Sequence, residues 1–293
     1  MSEKKIPDLG AAGWFLAQHA RVADRRVYER LFHGGAAGPV RDAVLAYRND
    51  DGGFGHALEP DCRASASQPA AVAMALRLLD AADAWDDAVA VAACNWLASV
   101  APAEGGAAFV EATLAQGPHA PWWVPEEGHP ASLVQTGQLA GVLHARGVRH
   151  PWLDGATAVM WDMIDRLLVP SAYPLLGVCR FLDHVPDHDR ARVALEKVRP
   201  LLGDSRVVAL DPRAAGEVHG PLDFAPLPGS AARRLFDDAV IEAHLEHLAG
   251  AQREDGGWMF SWPSWSAAAE ADWRGFLTVD ALRVLRANRR LDR

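Results

Sequence analysis

The sequence predicts an all-α protein assembled from stacked helical hairpins. Three observations carry this: apolar residues recur at helical spacing through most of the 293 residues, β-branched alternation is almost absent, and a helix-turn-helix unit near the start returns near the end. Half the residues are hydrophobic and 23% are charged, a balance that excludes disorder, collagen and a disulfide-stapled miniprotein. The length is within reach of one hydrophobic core, so a single domain over 1–293 is expected.

Helices are expected at 7–20, 24–32, 39–47, 68–82, 86–100, 133–146, 151–168, 172–184, 190–202, 236–251 and 273–288. The first three follow apolar residues three and four apart. Asp83-Ala84-Trp85-Asp86-Asp87 divides the fourth from the fifth and reads as a turn leading into an N-cap. The fifth is alanine-heavy, but it carries Asn95 and is shorter than the roughly 20 residues that span a bilayer. Arg146-Gly147-Val148 is a tight turn closing the sixth, and Met160, Trp161 and Met163 give the seventh a core face. Asp187-His188-Asp189 opens the ninth, His144, His244 and His247 take surface or capping places, and Glu270 is expected to pair with Arg274 ahead of the last. The segments 107–110 and 207–210 have an extended pattern but are too few to build a sheet.

Between the helices lie four long polar-aromatic loops, 50–67, 102–131, 204–235 and 253–272. Loops longer than about 12 to 15 residues in a compact domain usually serve function, and these are expected to gather at one end of the helical assembly.

Lys and Arg total 29 against 38 Asp and Glu, a net charge of -9, and no basic run interleaves with aromatics, so nucleic acid is not an expected partner. Cys62, Cys94 and Cys179 are odd in number and form no CxxC pair, which fits a reducing cytoplasm rather than a disulfide framework. Asp8 interrupts the apolar stretch after Lys4 and Lys5, so no secretory leader is read. A peripheral membrane contact and the oligomeric state stay open.

The repeat is direct. Val44-Leu45-Ala46-Tyr47-Arg48-Asn49-Asp50-Asp51-Gly52-Gly53-Phe54 aligns with Leu248-Ala249-Gly250-Ala251-Gln252-Arg253-Glu254-Asp255-Gly256-Gly257-Trp258, and beyond the loops Ala75-Leu76-Arg77-Leu78-Leu79 aligns with Ala281-Leu282-Arg283-Val284-Leu285. In each copy the Gly-Gly pair ends a helix sharply and the preceding Asp bonds freed backbone N–H groups. Stacked helix pairs of this kind form a curved or closed solenoid. Gln252-x-x-Asp255-Gly256-Gly257-Trp258 and its variant Asp51-Gly52-Gly53-Phe54 resemble the repeats of the terpenoid cyclase and protein prenyltransferase superfamily. The resemblance implies an α/α toroid, closed or partial, of about five or six hairpins. There such motifs brace helices outside the reaction chamber.

The superfamily's catalytic signatures are missing. The Asp-x-Asp-Asp acid of class II cyclases is approached only by Asp83-Ala84-Trp85-Asp86-Asp87, at the wrong spacing; the Asp-x-Cys zinc pair only by Asp61-Cys62, which lacks the spacer. Cys94 and Cys179 have no adjacent His for a lanthionine-type zinc site.

The loops supply the candidate residues. Asp50, Asp51, His56, Glu59, Asp61 and Arg63 crowd the first: either Asp51 caps the turn, His56 satisfies backbone groups and Arg63 neutralises Glu59 and Asp61, or a carboxyl group serves as general acid, or His56, Glu59 and Asp61 chelate a divalent metal, the least favoured option. No cofactor is otherwise expected. In the second loop Pro118-His119-Ala120-Pro121-Trp122-Trp123 offers a rigid aromatic platform, read equally as pocket wall or as plug. His219 and Asp223 in the third, and Trp262, Trp273 and Arg274 in the fourth, complete the set.

The resemblance implies an enzyme acting on an isoprenoid or similarly hydrophobic small molecule by acid-initiated cyclisation or isomerisation. Glu59, Asp61 or Asp51 would be the acid, with Trp faces holding a cationic intermediate. Two alternatives stand beside it: a carbohydrate-active toroid with Glu59 or Asp61 and Asp223 as acid and base, and a non-catalytic ligand-binding or scaffold protein.

Overall fold

The computed structural model describes residues 6–291, and they are helical as expected, with no strand among them. The helices are α1 (Leu9–His19), α2 (Val22–Phe32), α3 (Ala37–Leu45), α4 (Pro69–Ala81), α5 (Asp87–Ser99), α6 (Leu133–Ala145), α7 (Pro151–Arg166), α8 (Ala172–Leu182), α9 (His188–Leu202), α10 (Pro221–Phe224), α11 (Asp238–Gly250) and α12 (Ala267–Ala287). Two 3-10 turns, Ala112–Gln116 and Ala231–Leu235, lie in the second and third long loops. No helix among the described residues is long and apolar enough to cross a membrane.

The chain forms two compact units. One is Ala36–Leu201; the other joins Met1–Gly35 to Leu202–Arg293.

In the Ala36–Leu201 unit, α6 packs on α4, α7 and above all α8. Glycines bring the α6 and α8 backbones together: a Cβ on Gly137 would fall inside the Gly177 carbonyl, and one on Gly177 inside the Leu133 carbonyl. Helix α4 is buried on nearly every face from Pro69 to Leu79, which is why its sequence is apolar all round rather than striped. Asp86 caps α5 by accepting from the Ala88 and Val89 amides.

In the other unit, α1, α2 and α12 pack on one another, and α11 packs on α10 and α12. Inside it Arg21 and the fully buried Asp24 form a two-pronged ion pair at 2.8 and 3.0 Å. Burial pushes the Asp24 carboxyl up while Arg21 opposes the shift.

The two repeat copies fold into the same turn. Asn49 N donates to Gly53 O at 3.0 Å and Arg253 N to Gly257 O at 2.9 Å; Gly53 N donates to the Asp51 carboxylate at 2.8 Å and Gly257 N to that of Asp255 at 3.0 Å. Gly52 and Gly256 sit at φ of +91° and +92°, where a side chain is strained. Each turn presses on a further helix of its own unit, Gly52 and Gly53 on Ala92 and Trp96 of α5, Gly256 and Gly257 on Ala11 and Phe15 of α1. Helix α1 therefore meets the second turn as α5 meets the first.

Beyond shifts of a residue or two at helix ends, three features add to the expected picture. Helix α12 starts at Ala267 rather than 273, because Ser266 caps it by accepting from Ala269 N and three alanines carry the first turn. Helix α10 and the two 3-10 turns give the long loops structure of their own. Neither extended-looking segment is a strand: Ala108 makes one bridge to Ala131, and Val207 and Val208 both turn back to Asp204 O.

Candidate functional site

The first long loop closes on itself. Asn49 donates to Ser65 O and Ser67 Oγ, both at 2.9 Å, and His56 N donates to Ala64 O at 2.9 Å. His56 and Ala57 take left-handed backbone angles, φ 55° and 67°, which non-glycine residues rarely adopt. The loop is then stitched to the second: Arg63 N donates to Pro118 O at 3.0 Å, Ala120 N to Asp61 O at 2.8 Å, and Cys62 bridges His119.

That stitching divides the candidates. Asp51 is spent locally, accepting from Gly53 N and Ser67 Oγ at 2.8 Å each, so it holds the turn. His56 points outward with Nε2 donating to Asn49 Oδ1 at 2.8 Å. Glu59 and Asp61, by contrast, are 4% and 5% exposed. Burial first, and then the negative charge of Glu59 and Asp61, push the Cys62 thiol far up. Among the described residues no group of three His, Cys, Asp or Glu is placed to hold a metal.

The platform is split. Trp123 is buried and stacks on Phe109 with ring centres 5.0 Å apart, whereas Trp122 is 45% exposed. His119 donates through Nδ1 to Gly117 O at 2.9 Å. The contact that orders this loop was missed in the sequence: buried Gln68 accepts from Glu111 N at 2.9 Å and donates to Thr113 Oγ1 at 3.0 Å, and Glu111 pairs with His129 at 2.9 Å.

The remaining candidates lie in the other unit. Asp223 accepts from Gly220 N at 2.7 Å at the start of α10, and His219 Nδ1 lies 3.9 Å from its Oδ2. Beside them His244, which donates to Leu210 O at 3.1 Å, has its pKa pushed down chiefly by burial, and it fills the space a Gly220 Cβ would need. Trp262 meets Trp273 edge to face at 5.3 Å and stacks on Phe260 at 4.6 Å, so these indoles form an aromatic cluster. Arg274 braces the second repeat turn. Its Nη2 donates to both Asp255 oxygens at 2.8 and 2.7 Å and its Nε to Trp258 O at 3.2 Å, while its guanidinium covers the Phe15 ring at 4.5 Å. Asp255 thus takes the place expected of Glu270.

The arrangement in the Ala36–Leu201 unit can do acid chemistry: two carboxyl groups held out of water on a loop whose backbone is pinned to a tryptophan-bearing neighbour. No protein-family model matches the chain, and no curated protein matches it.

Proposed function

We propose that the chain is a terpenoid cyclase/prenyltransferase-like α/α toroid acting on an isoprenoid or similar hydrophobic small molecule, with Glu59 or Asp61 as the acid that starts cyclisation or isomerisation. The observation that carries the proposal is the burial of these two carboxylates, 4% and 5% exposed, beside the His119–Trp123 loop. Burial disfavours the charged form of a carboxyl group, which suits a proton donor. The toroid reading draws on the repeat: within each unit an Asp-Gly-Gly turn presses on a further helix, α5 in one and α1 in the other. The reaction moves a proton from the carboxyl group to an alkene carbon, and loss of a proton from the resulting cation restores the acid.

The test is native mass spectrometry and product analysis of the full chain with prenyl diphosphates, polyprenes and oligosaccharides. Conversion of the isoprenoids, lost in Glu59→Gln or Asp61→Asn variants of unchanged circular dichroism, supports the reading. Conversion of oligosaccharides instead overturns it.

A second reading is non-catalytic binding. Its support is that Asp51, Asp223 and Arg274 spend their charge bracing local turns. Under it the isoprenoids bind without turnover.

A further inference from the structure

A cavity lies in the unit formed by the two chain ends, apart from the buried carboxylates discussed above. Helices α1 and α12 leave between them a cavity of 190 Å³, lined by Phe15, His19, Ala267, Glu270, Ala271 and Arg274. The α12 residues recur at three- and four-residue spacing, so they form one face opposite Phe15 and His19, themselves one turn apart.

The polar groups around this cavity are of two signs and are not used up. Among the described residues the Glu270 side chain makes no hydrogen bond or ion pair, because Arg274, the partner its spacing offers, is held by Asp255 instead. Arg274 in turn commits Nε to Trp258 O and Nη2 to Asp255, which leaves the two N–H donors of Nη1. The His19 ring lies 5.0 Å from that of Phe15 and makes no side-chain hydrogen bond among the described residues. Phe15, 1% exposed, lies beneath the Arg274 guanidinium at 4.5 Å and steadies it. Asp255 already balances Arg274, so a carboxylate acceptor, a guanidinium edge and an imidazole face one small space.

We infer that this cavity binds a small zwitterion of amino-acid size. Its ammonium group would be held by Glu270 and its carboxylate by Arg274 Nη1, with His19 at the mouth. A purely anionic ligand leaves Glu270 opposed to it, and a purely cationic one leaves the Arg274 edge unused. The inference does not depend on the acid chemistry of Glu59 and Asp61, which belong to the other unit.

The experiment is a titration of the full chain followed by amide and indole NMR. The probes are L-valine, isobutylamine (which lacks the carboxylate) and isovalerate (which lacks the amine). Saturable shifts of the Gly256, Gly257 and Ala267–Ala271 amides are expected with L-valine, and binding at least about tenfold weaker with either analogue, since each forfeits a charge-assisted hydrogen bond. Glu270→Gln should weaken L-valine about tenfold and leave isovalerate unchanged. His19→Gln, a solvent-side change that spares the packing of α1, should weaken isovalerate as well as L-valine. No saturable shift with L-valine overturns the proposal. Equal binding of valine and isobutylamine overturns the zwitterion in favour of a simple ammonium site, and shifts unaffected by Glu270→Gln overturn the site itself.

Discussion

Gly256 lies so close to Ala11 that a Cβ on the glycine would fall inside the Ala11 carbonyl. In the other unit Gly52 meets the Ala92 carbonyl in the same way, with the oxygen 2.8 Å from where its Cβ would be. The two contacts are what the repeated Asp-Gly-Gly sequence is for: each permits the chain after a helix end to dock by its backbone onto another helix of the same unit. Gly256→Ala combines this clash with a φ of +92° and should destabilise the protein by more than about 3 kcal/mol. Urea unfolding of this variant checks it, with Gly250→Ala as the control, since nothing stands within 4 Å of a Cβ there.

Arg274 links that turn to helix α12 through Asp255 and Trp258 O. Its side chain is 15% exposed, so the bidentate pair is partly shielded from water. Arg274→Ala should cost about 1 to 3 kcal/mol, and Arg274→Lys should recover less than half, because an ammonium group cannot serve both acceptors in the plane the guanidinium uses. Denaturant midpoints of the two variants, compared with Asp255→Asn, measure this.

His244 gives the unit containing α11 a pH response. Burial is the main cause that holds its folded pKa below the ordinary 6.5, His247 adds to the shift, and the Leu210 hydrogen bond with Asp223 and Asp211 opposes it. The unfolded chain therefore takes up a proton first as pH falls. The stability contributed by the neutral ring is complete above about pH 6.5 and is lost as pH drops below it toward the folded value. The melting temperature should fall between about pH 7.5 and about pH 5.5, and fall less in His244→Gln. Equal slopes for the two proteins would contradict the assignment.

The three cysteines should be inert in the folded protein. Burial is the first cause in each case, raising Cys94 and Cys179 to about 12 and Cys62 further still. A thiol-specific reagent at neutral pH is expected to modify none of them until denaturant is added, when all three react.

The helices and the repeat were legible because both rest on local rules: helical spacing of apolar residues, and the backbone freedom that glycine provides at Gly52 and Gly256. The start of α12 was not, since Trp258, Trp262 and Trp265 made the preceding stretch read as one continuous loop, hiding the Ser266 cap and its three alanines. Site residues depend on contacts distant in sequence. The burial of Glu59 and Asp61 follows from the pairing of their loop with Pro118–Ala120, about sixty residues on. Glu270 lost its expected partner because the repeat turn sets Asp255 in better bidentate reach of Arg274. The cavity between α1 and α12 joins residues near opposite ends of the chain, which no local pattern signals.

The acid role proposed for Glu59 and Asp61 is tested most directly by running the isoprenoid incubations in deuterium oxide and locating the label in the product. One deuterium at the carbon that becomes saturated, with turnover lost in Glu59→Gln or Asp61→Asn and kept in Asp51→Asn variants that remain folded, is the expected result. Product without deuterium, or turnover unchanged in both buried-carboxylate variants, would contradict the account.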